Sequence, residues 1–352
     1  MKTRAAVLVE TGKPLVVATL EVPALGIGQV LVEIAYSGVC HTQLLEWRGY
    51  RGVDRYLPHC LGHEGSGVVI DAGQGVTRVK AGDRIILSWI KGPGADAPGA
   101  VYDWDGRKVN AGGITTFNRH AVISENRMTV IPEDIPMRQA AFLGCAVPTG
   151  VGAVLNTAEV RPGDSVAVFG LGGIGLCAVA GALLAGAAPV IALDVRPERL
   201  AVALQNGATH AVSARAGDPI QAIRAICPQG VDVAIKATGT STAMRHALQC
   251  VRSQGGKAVI VGNARDGEML ELDPRQFNQG KRLLGTWGGD TVPQHDLVRY
   301  CKLLRVGKLK LDALVSQEYG LGQINQALGA LERGEAIRPL IDLALGDPEP
   351  GG

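Results

Sequence analysis

Residues 166–193 form a run of 28 positions without one charged side chain, and that run leaves the chain few folds to choose from. By length it could cross a bilayer, which takes about 20 apolar residues. Its interior argues otherwise, because Gly170, Gly172, Gly173 and Gly175 cluster near its start and Pro189 near its end. They divide it into a short apolar stretch, a glycine turn, an alanine-rich helical stretch and a second apolar stretch. Apolar strands on either side of a helix read as a β-α-β unit in a parallel sheet covered on both faces. A membrane is not expected as a partner.

The same alternation continues on both sides. Strands are expected at 165–169, 190–194, 210–212, 231–236 and 257–261, and helices at 173–185, 197–206, 219–226 and 240–249. That is an α/β domain of the Rossmann type, a doubly wound parallel sheet. The first third differs, with short strands at 5–10, 30–36, 67–72, 84–89, 120–124 and 128–131 broken by glycine and proline, which reads as a β-rich domain. Residues 91–113 read as one long, poorly patterned loop, a length uncommon without a functional reason. Helical stretches follow at 294–305 and 323–333, and the tail 346–352 is expected to fray. At roughly 150 residues per domain, 352 residues hold two domains.

Charge and cysteine usage narrow the partners. Thirty-five basic against 33 acidic residues leave a net charge of +2, so no field of one sign invites nucleic acid. A small-molecule partner is expected. The seven cysteines are scattered with no C-x-x-C pair, and the first ten residues hold no apolar targeting segment, which together suggest a reduced, cytoplasmic setting.

Residues 170–175 read G-x-G-x-x-G directly after an apolar strand and before a helix. Gly170 permits the tight turn, Gly172 lets backbone approach a pyrophosphate, and Gly175 allows close packing of helix on strand. Gly173 and Ile174 open the helix, whose unpaired N–H groups attract phosphate. Asp194 ends the next strand, 19 residues beyond Gly175, where a carboxylate bonds the ribose hydroxyls and disfavours a 2′-phosphate. NAD is therefore expected over NADP, with Arg196 and Arg199 just beyond as the opposing signal.

Three segments carry candidate metal ligands: Cys40-His41-Thr42, His63-Glu64 and Gly144-Cys145. Singly each is weak, since a cysteine among apolar residues is usually a small buried hydrophobe. Together, two thiolates and an imidazole match the catalytic zinc set of alcohol dehydrogenase, which leaves a fourth position open. With Gly65-Ser66-Gly67, Gly82-Asp83-Arg84, Thr149-Gly150, the Gly170 loop and Ile337-Arg338, the chain resembles the zinc-dependent alcohol dehydrogenases of the medium-chain dehydrogenase/reductase family along nearly its whole length.

The resemblance implies a GroES-like catalytic domain at 1–148, the NAD-binding domain at 149–287 and a return to the catalytic domain at 288–352. It implies Cys40, His63 and Cys145 as zinc ligands, with Glu64 beside the metal or as a transient ligand. Thr42 would accept the substrate proton. Thr149 would lie near the nicotinamide, His41 and Arg338 beside the pyrophosphate, Arg199 and Val261 at the nucleotide, and Trp89 and Phe117 along the substrate cleft. The implied reaction is oxidation of an alcohol to an aldehyde or ketone, or the reverse, by hydride transfer with NAD, in a homodimer or homotetramer pairing an apolar strand near 283–287. Cys60, Cys177, Cys227, Cys250 and Cys301 read as structural thiols.

Three departures stand out. The loop that often holds a second, structural zinc through four cysteines has none between 91 and 113, so only the catalytic zinc is expected. An aspartate that orients the zinc-binding histidine is replaced by Gln43, an amide expected to accept the imidazole N–H and to raise ligand basicity less. A relay histidine is replaced by Leu44 and Leu45, so the proton is expected to pass from Thr42 through the cofactor ribose and water, or through His41. Rival readings are a zinc-free quinone or enoyl reductase, which generally lacks these ligands, and a non-catalytic nucleotide-binding protein. Asn263 and Arg265, after the strand 257–261, hint at a polar substrate.

Overall fold

The uncharged run folds as a β-α-β unit in the computed structural model, which describes residues 1–345 apart from the side chain of Ser316. The tail 346–352, expected to fray, lies outside the described residues. Strand Val166–Phe169, helix Gly173–Leu184 and strand Val190–Asp194 follow one another, and every residue of both strands is buried. The helix has 12 residues, and among the described residues no single helix is long and apolar enough to cross a membrane.

The described chain divides into two units, each with its own contacts. One comprises residues 146–291 and 308–313. Its six-stranded sheet runs His210–Ser213, Val190–Asp194, Val166–Phe169, Val233–Lys236, Lys257–Ile260, Arg282–Gly285, all parallel. Strand order reverses between Val166–Phe169 and Val233–Lys236, the switch point outside which such sheets bind ligands. Val231, expected to begin its strand, makes only an isolated bridge to Val251.

The other unit comprises residues 1–145, 292–307 and 314 onward. A closed barrel joins Lys2–Leu8, Val16–Glu21, Val101–Trp104, Arg107–Asn110 and His59–Cys60. A seven-stranded sheet joins Met128–Val130, Arg84–Ser88, Glu64–Ala72, Gln29–Gly38, Arg338–Asp342 and Val315–Gly320, with His120–Ser124 on Gln29–Gly38. Their shared interior includes Val30, Val32, Ile34, Ile85, Leu87 and Phe117.

The expectation of a long unpatterned loop at 91–113 is corrected. It contains the hairpin Val101–Trp104/Arg107–Asn110, turned by Asp105 at φ 50 and Gly106 at φ 85. Asp-Gly suits such a turn because both central residues take positive φ. The preceding stretch is held to a carboxylate: Glu125 accepts from Ala95 N (2.7 Å) and also from Thr77 N (2.6 Å) and Arg78 N (2.7 Å) of the earlier loop. Ser124 accepts from Ala97 N at 2.9 Å, and Asn126 donates to Asp96 at 3.0 Å.

Burial alone would raise the Glu125 value, but the three N–H donors outweigh it and hold the carboxyl below the ordinary range. Its stabilising contribution is then present above the unfolded value of about 4.3 and lost as pH falls through the folded one. Glu125→Gln turns one acceptor into a donor facing N–H groups and should cost about 1–3 kcal/mol at pH 7. Urea unfolding at pH 7 and pH 4 checks this, with the gap to wild type expected to shrink in acid.

The structural reading of the remaining thiols agrees with their surroundings. Burial pushes Cys60 and Cys250 up to about 12 and Cys301 up to about 11, which keeps them protonated and unreactive.

Candidate metal centre and nucleotide site

Strand Gln29–Gly38 delivers Cys40 to the start of helix His41–Trp47. His63 stands one residue before strand Glu64–Ala72, on a turn where Gly62 has φ +95. Cys145 follows the short helical turn Ala141–Gly144. Gly38 is required by contact, since a Cβ there would lie 2.0 Å from Glu64 Oε1.

These loops bring Cys40 Sγ, a His63 ring nitrogen and Cys145 Sγ within 4.8 Å of one another. Bonds of about 2.0–2.3 Å to one ion span such a group. Two buried thiols and one imidazole are the donor set zinc favours, and three protein ligands leave a position for substrate. The expected trio is thus brought together. The hydrogen bond with Cys145 draws Cys40 well below its ordinary value, helped by Arg338, and the same bond pushes Cys145 well up. At His63 burial pulls downward, but the hydrogen bond and charge of Cys40 and the charge of Glu64 give a net rise.

Gln43 corrects an expectation. Its Oε1 already accepts from Cys40 N at 2.9 Å, so its Nε2 is the end that faces His63 Nδ1. His63 Nε2 lies 3.3 Å from Cys145 Sγ and can hold a metal when the ring proton sits on Nδ1, a proton that the Gln43 amide oxygen would have to accept.

Glu64 lies beside the trio, wholly buried, with Arg338 Nε donating to its Oε1 at 2.8 Å. Burial raises the Glu64 value and Arg338 opposes the rise. Arg338, expected beside the pyrophosphate, is 3% exposed and paired with Glu64. Thr42 is half-buried on the helix that Cys40 opens, its Oγ1 3.7 Å from Cys40 Sγ. His41 is exposed at the helix start. Trp89 is half-buried just after strand Arg84–Ser88. Phe117 is corrected: with no exposed surface it belongs to the core, an aromatic satisfied by packing.

A cavity of about 390 Å³ opens on His63 and Gln43 and is walled by Glu46, His59, Leu61, Asn110 and Ile114. Glu46 was missed by the sequence reading. Burial pushes its carboxyl up, against His63, Arg51 and His59, and Arg51 Nη1 donates to its Oε1 at 2.8 Å. The available signal was its place four residues after Thr42, on one helix face.

In the other unit the glycine loop behaves as its spacing implies. Gly170 has φ +89, a Cβ on Gly175 would lie 1.7 Å from Gly170 O, and Gly172 has nothing within 4 Å, leaving space for a ligand. Gly173 and Ile174 begin the helix. Asp194 Oδ2 accepts from Leu171 N at 2.7 Å and Oδ1 from Arg196 N at 3.0 Å. Arg199 stands 3.8 Å from Asp194. A carboxylate has about four acceptor positions, so ribose hydroxyls can still be bound.

Thr149 sits on helix Ala146–Gly152, where a Cβ on Gly150 would lie 2.4 Å from Ile174 O. Its buried Oγ1 has no partner among the described residues, the state expected of a hydroxyl awaiting a ligand. Val261 follows strand Lys257–Ile260 and donates to Lys236 O at 3.0 Å. Lys236 went unnoticed in the sequence although it ends an apolar strand. It is wholly buried, donates to Gly262 O at 2.6 Å, and burial lowers it to about 8.

Comparison with known proteins agrees. Residues 26–133 match the family model described as alcohol dehydrogenase GroES-like domain, and 173–304 that of zinc-binding dehydrogenase. An S-(hydroxymethyl)glutathione dehydrogenase from Synechocystis is 35% identical across 97% of this chain and 100% of its own. The chain belongs to the zinc-dependent medium-chain alcohol dehydrogenases. The benzyl alcohol dehydrogenase of Acinetobacter calcoaceticus has 30% identity and a TM-score of 0.90, covering 98% of this chain and 100% of that one. A zinc-binding alcohol dehydrogenase domain protein from Burkholderia ambifaria has 32% identity and a TM-score of 0.91, covering 97% and 99%. The dehydrogenase oxidises an alcohol to an aldehyde or ketone, or runs the reverse, and neither rival reading finds comparable support.

Proposed function

We propose that the enzyme uses NAD and one zinc ion, held by Cys40, His63 and Cys145, and has no structural zinc. The observation that carries the reading is the convergence of those three donors within 4.8 Å. A single metal is supported by the absence of cysteine from residues 91–113 and by the hydrogen bonds that tie that segment instead, Ala95 N to Glu125, Ala97 N to Ser124 and Asn126 to Asp96.

Zinc at this site would supply Lewis-acid polarisation of the substrate oxygen, and NAD would take the hydride. The chain's own groups position and move the rest. Thr42 Oγ1, beside Cys40 Sγ, receives the alcohol proton. Gln43 fixes the His63 ring, and Glu64 with Arg338 closes one side of the thiol pair with balanced charge. The Gly170 turn and Asp194 hold the dinucleotide, with Thr149 Oγ1 as a further donor.

Seven thiols without a disulfide support a cytoplasmic setting. The edge strand Arg282–Gly285 and Trp287, 74% exposed, support a homodimer or homotetramer.

Steady-state kinetics with each cofactor test the reading. Wild type should oxidise alcohols with NAD and use NADP at least about a hundredfold less well, because the 2′-phosphate meets Asp194. Asp194→Ser should raise KM for NAD roughly 10–100-fold, the worth of a charged hydrogen bond. Equal use of NADP by wild type would contradict the assignment.

A further inference from the structure

One buried charge has no part in the chemistry above. Lys236 ends strand Val233–Lys236 in register with Phe169 on one side and Ile260 on the other, so its side chain shares a face of the sheet with two large apolar residues. A charged amine is costly there. Its value of about 8 lies below the unfolded one of about 10.4, so the protonated lysine lowers stability below pH 8, and the cost is relieved as pH rises between the two values. Stability of the fold is therefore not what the charge supplies.

What it supplies is a grip on one residue. Lys236 O accepts from Val261 N at 3.0 Å and from Gly262 N at 3.2 Å, while Lys236 Nζ donates to Gly262 O at 2.6 Å. Both backbone polar groups of Gly262 are thus held by a single lysine. Gly262 in turn backs onto Thr238, since a Cβ there would lie 2.0 Å from Thr238 O, and Thr238 backs onto the glycine turn, its Cγ2 2.4 Å from where a Cβ on Gly170 would stand. The turns that follow strands Val166–Phe169, Val233–Lys236 and Lys257–Ile260 are therefore packed on one another, beside the point where strand order reverses and such sheets bind ligands.

Resting on the NAD site proposed above, we propose that Lys236 is a positioning residue for the cofactor: its ammonium clamps Gly262, and through Thr238 the Gly170 turn, in the arrangement that binds NAD, and the clamp slackens when the lysine loses its proton. A neutral amine donates a weaker hydrogen bond than an ammonium does. A loop that samples other arrangements lowers affinity by the fraction of time it spends in the competent one. Asp232 and Lys257 lie at the far end of these strands. Nearer are Arg245 and His246 on helix Ser241–Cys250 and Arg265, Asp266 and Glu268 on the loop after Gly262, and it is Glu268 whose charge favours the ammonium.

Calorimetric titration of NAD into the zinc-loaded enzyme at pH values on either side of 8 tests this. Lys236→Met removes the amine and its burial cost together, so the variant should fold. It should bind NAD about tenfold more weakly at pH 7, raise KM for NAD while kcat holds, and lose the weakening that wild type shows as pH passes about 8. Amide hydrogen exchange across 261–268 should quicken in the variant before any cofactor is added. Glu268→Gln gives a second reading if Lys236→Met does not fold: Glu268 is exposed, a glutamine oxygen can still accept from Ser241 N as Glu268 Oε1 does at 2.7 Å, and loss of its charge should move the midpoint to lower pH. Affinity and exchange unchanged in Lys236→Met, a pH profile kept by that variant, or a midpoint unmoved by Glu268→Gln would overturn the proposal while leaving the NAD site in place. Wild type that does not bind NAD would instead bring down the proposed cofactor, and this clamp with it.

Discussion

Arg338→Met is expected to destabilise the protein by about 3–5 kcal/mol, the magnitude for breaking a buried ion pair by removing one partner. Arg338 and Glu64 have side chains 3% and 0% exposed, so water cannot take over when the guanidinium is lost. Glu64 cannot move aside without disturbing the thiol pair. It packs where Gly38 and Gly144 leave room, a Cβ on Gly144 lying 3.0 Å from the Glu64 Cβ. The double variant Arg338→Met/Glu64→Gln should recover a large part of the loss, because it removes the uncompensated charge along with its partner. Chemical denaturation of the three proteins measures this, and a single variant as stable as wild type would show that the pair is not the anchor described.

How much of this was legible depended on whether the signal was local. The parallel sheet was, because a buried β-α-β unit writes strand, glycine turn and helix within some thirty residues. Helix Pro219–Ile226 and strand Val190–Asp194 fall where they were expected. The ligand loops were legible for a similar reason, since each pairs a donor with glycines that only close approach demands.

Long-range pairing was not legible. Strand Arg338–Asp342 lies antiparallel to Gln29–Gly38, and nothing near residue 340 announces a partner three hundred residues earlier. The hairpin at 101–110 was hidden by its charged, exposed face, although Asp105-Gly106 was a fair turn signal. Phe117 shows a limit of transferred roles, since an aromatic at a strand approach is satisfied equally by core or cleft and burial alone decides. Gln43 shows another. Which end of an amide meets the histidine depends on what its oxygen already holds, here the Cys40 N–H.

Loss of either thiolate should have the largest effect on activity. With Cys40→Ser or Cys145→Ser only one sulfur and an imidazole remain, and a serine hydroxyl does not ionise near neutrality to replace a thiolate. The several kcal/mol of charge stabilisation a catalytic metal supplies correspond to roughly a thousandfold or more in kcat. Both sulfurs lie in loops without regular hydrogen-bond ladders of their own, so the folded proportion should stay high. Circular dichroism and NAD binding should resemble wild type while turnover falls by that factor.

The central claim is that Cys40, His63 and Cys145 hold one zinc ion, and metal content tests it most directly. Plasma mass spectrometry on protein purified without added metal should find about one zinc per chain in wild type, and far less in Cys40→Ser and in Cys145→Ser. Well-folded wild type without zinc, two zinc ions per chain, or zinc unchanged in the serine variants would contradict the account.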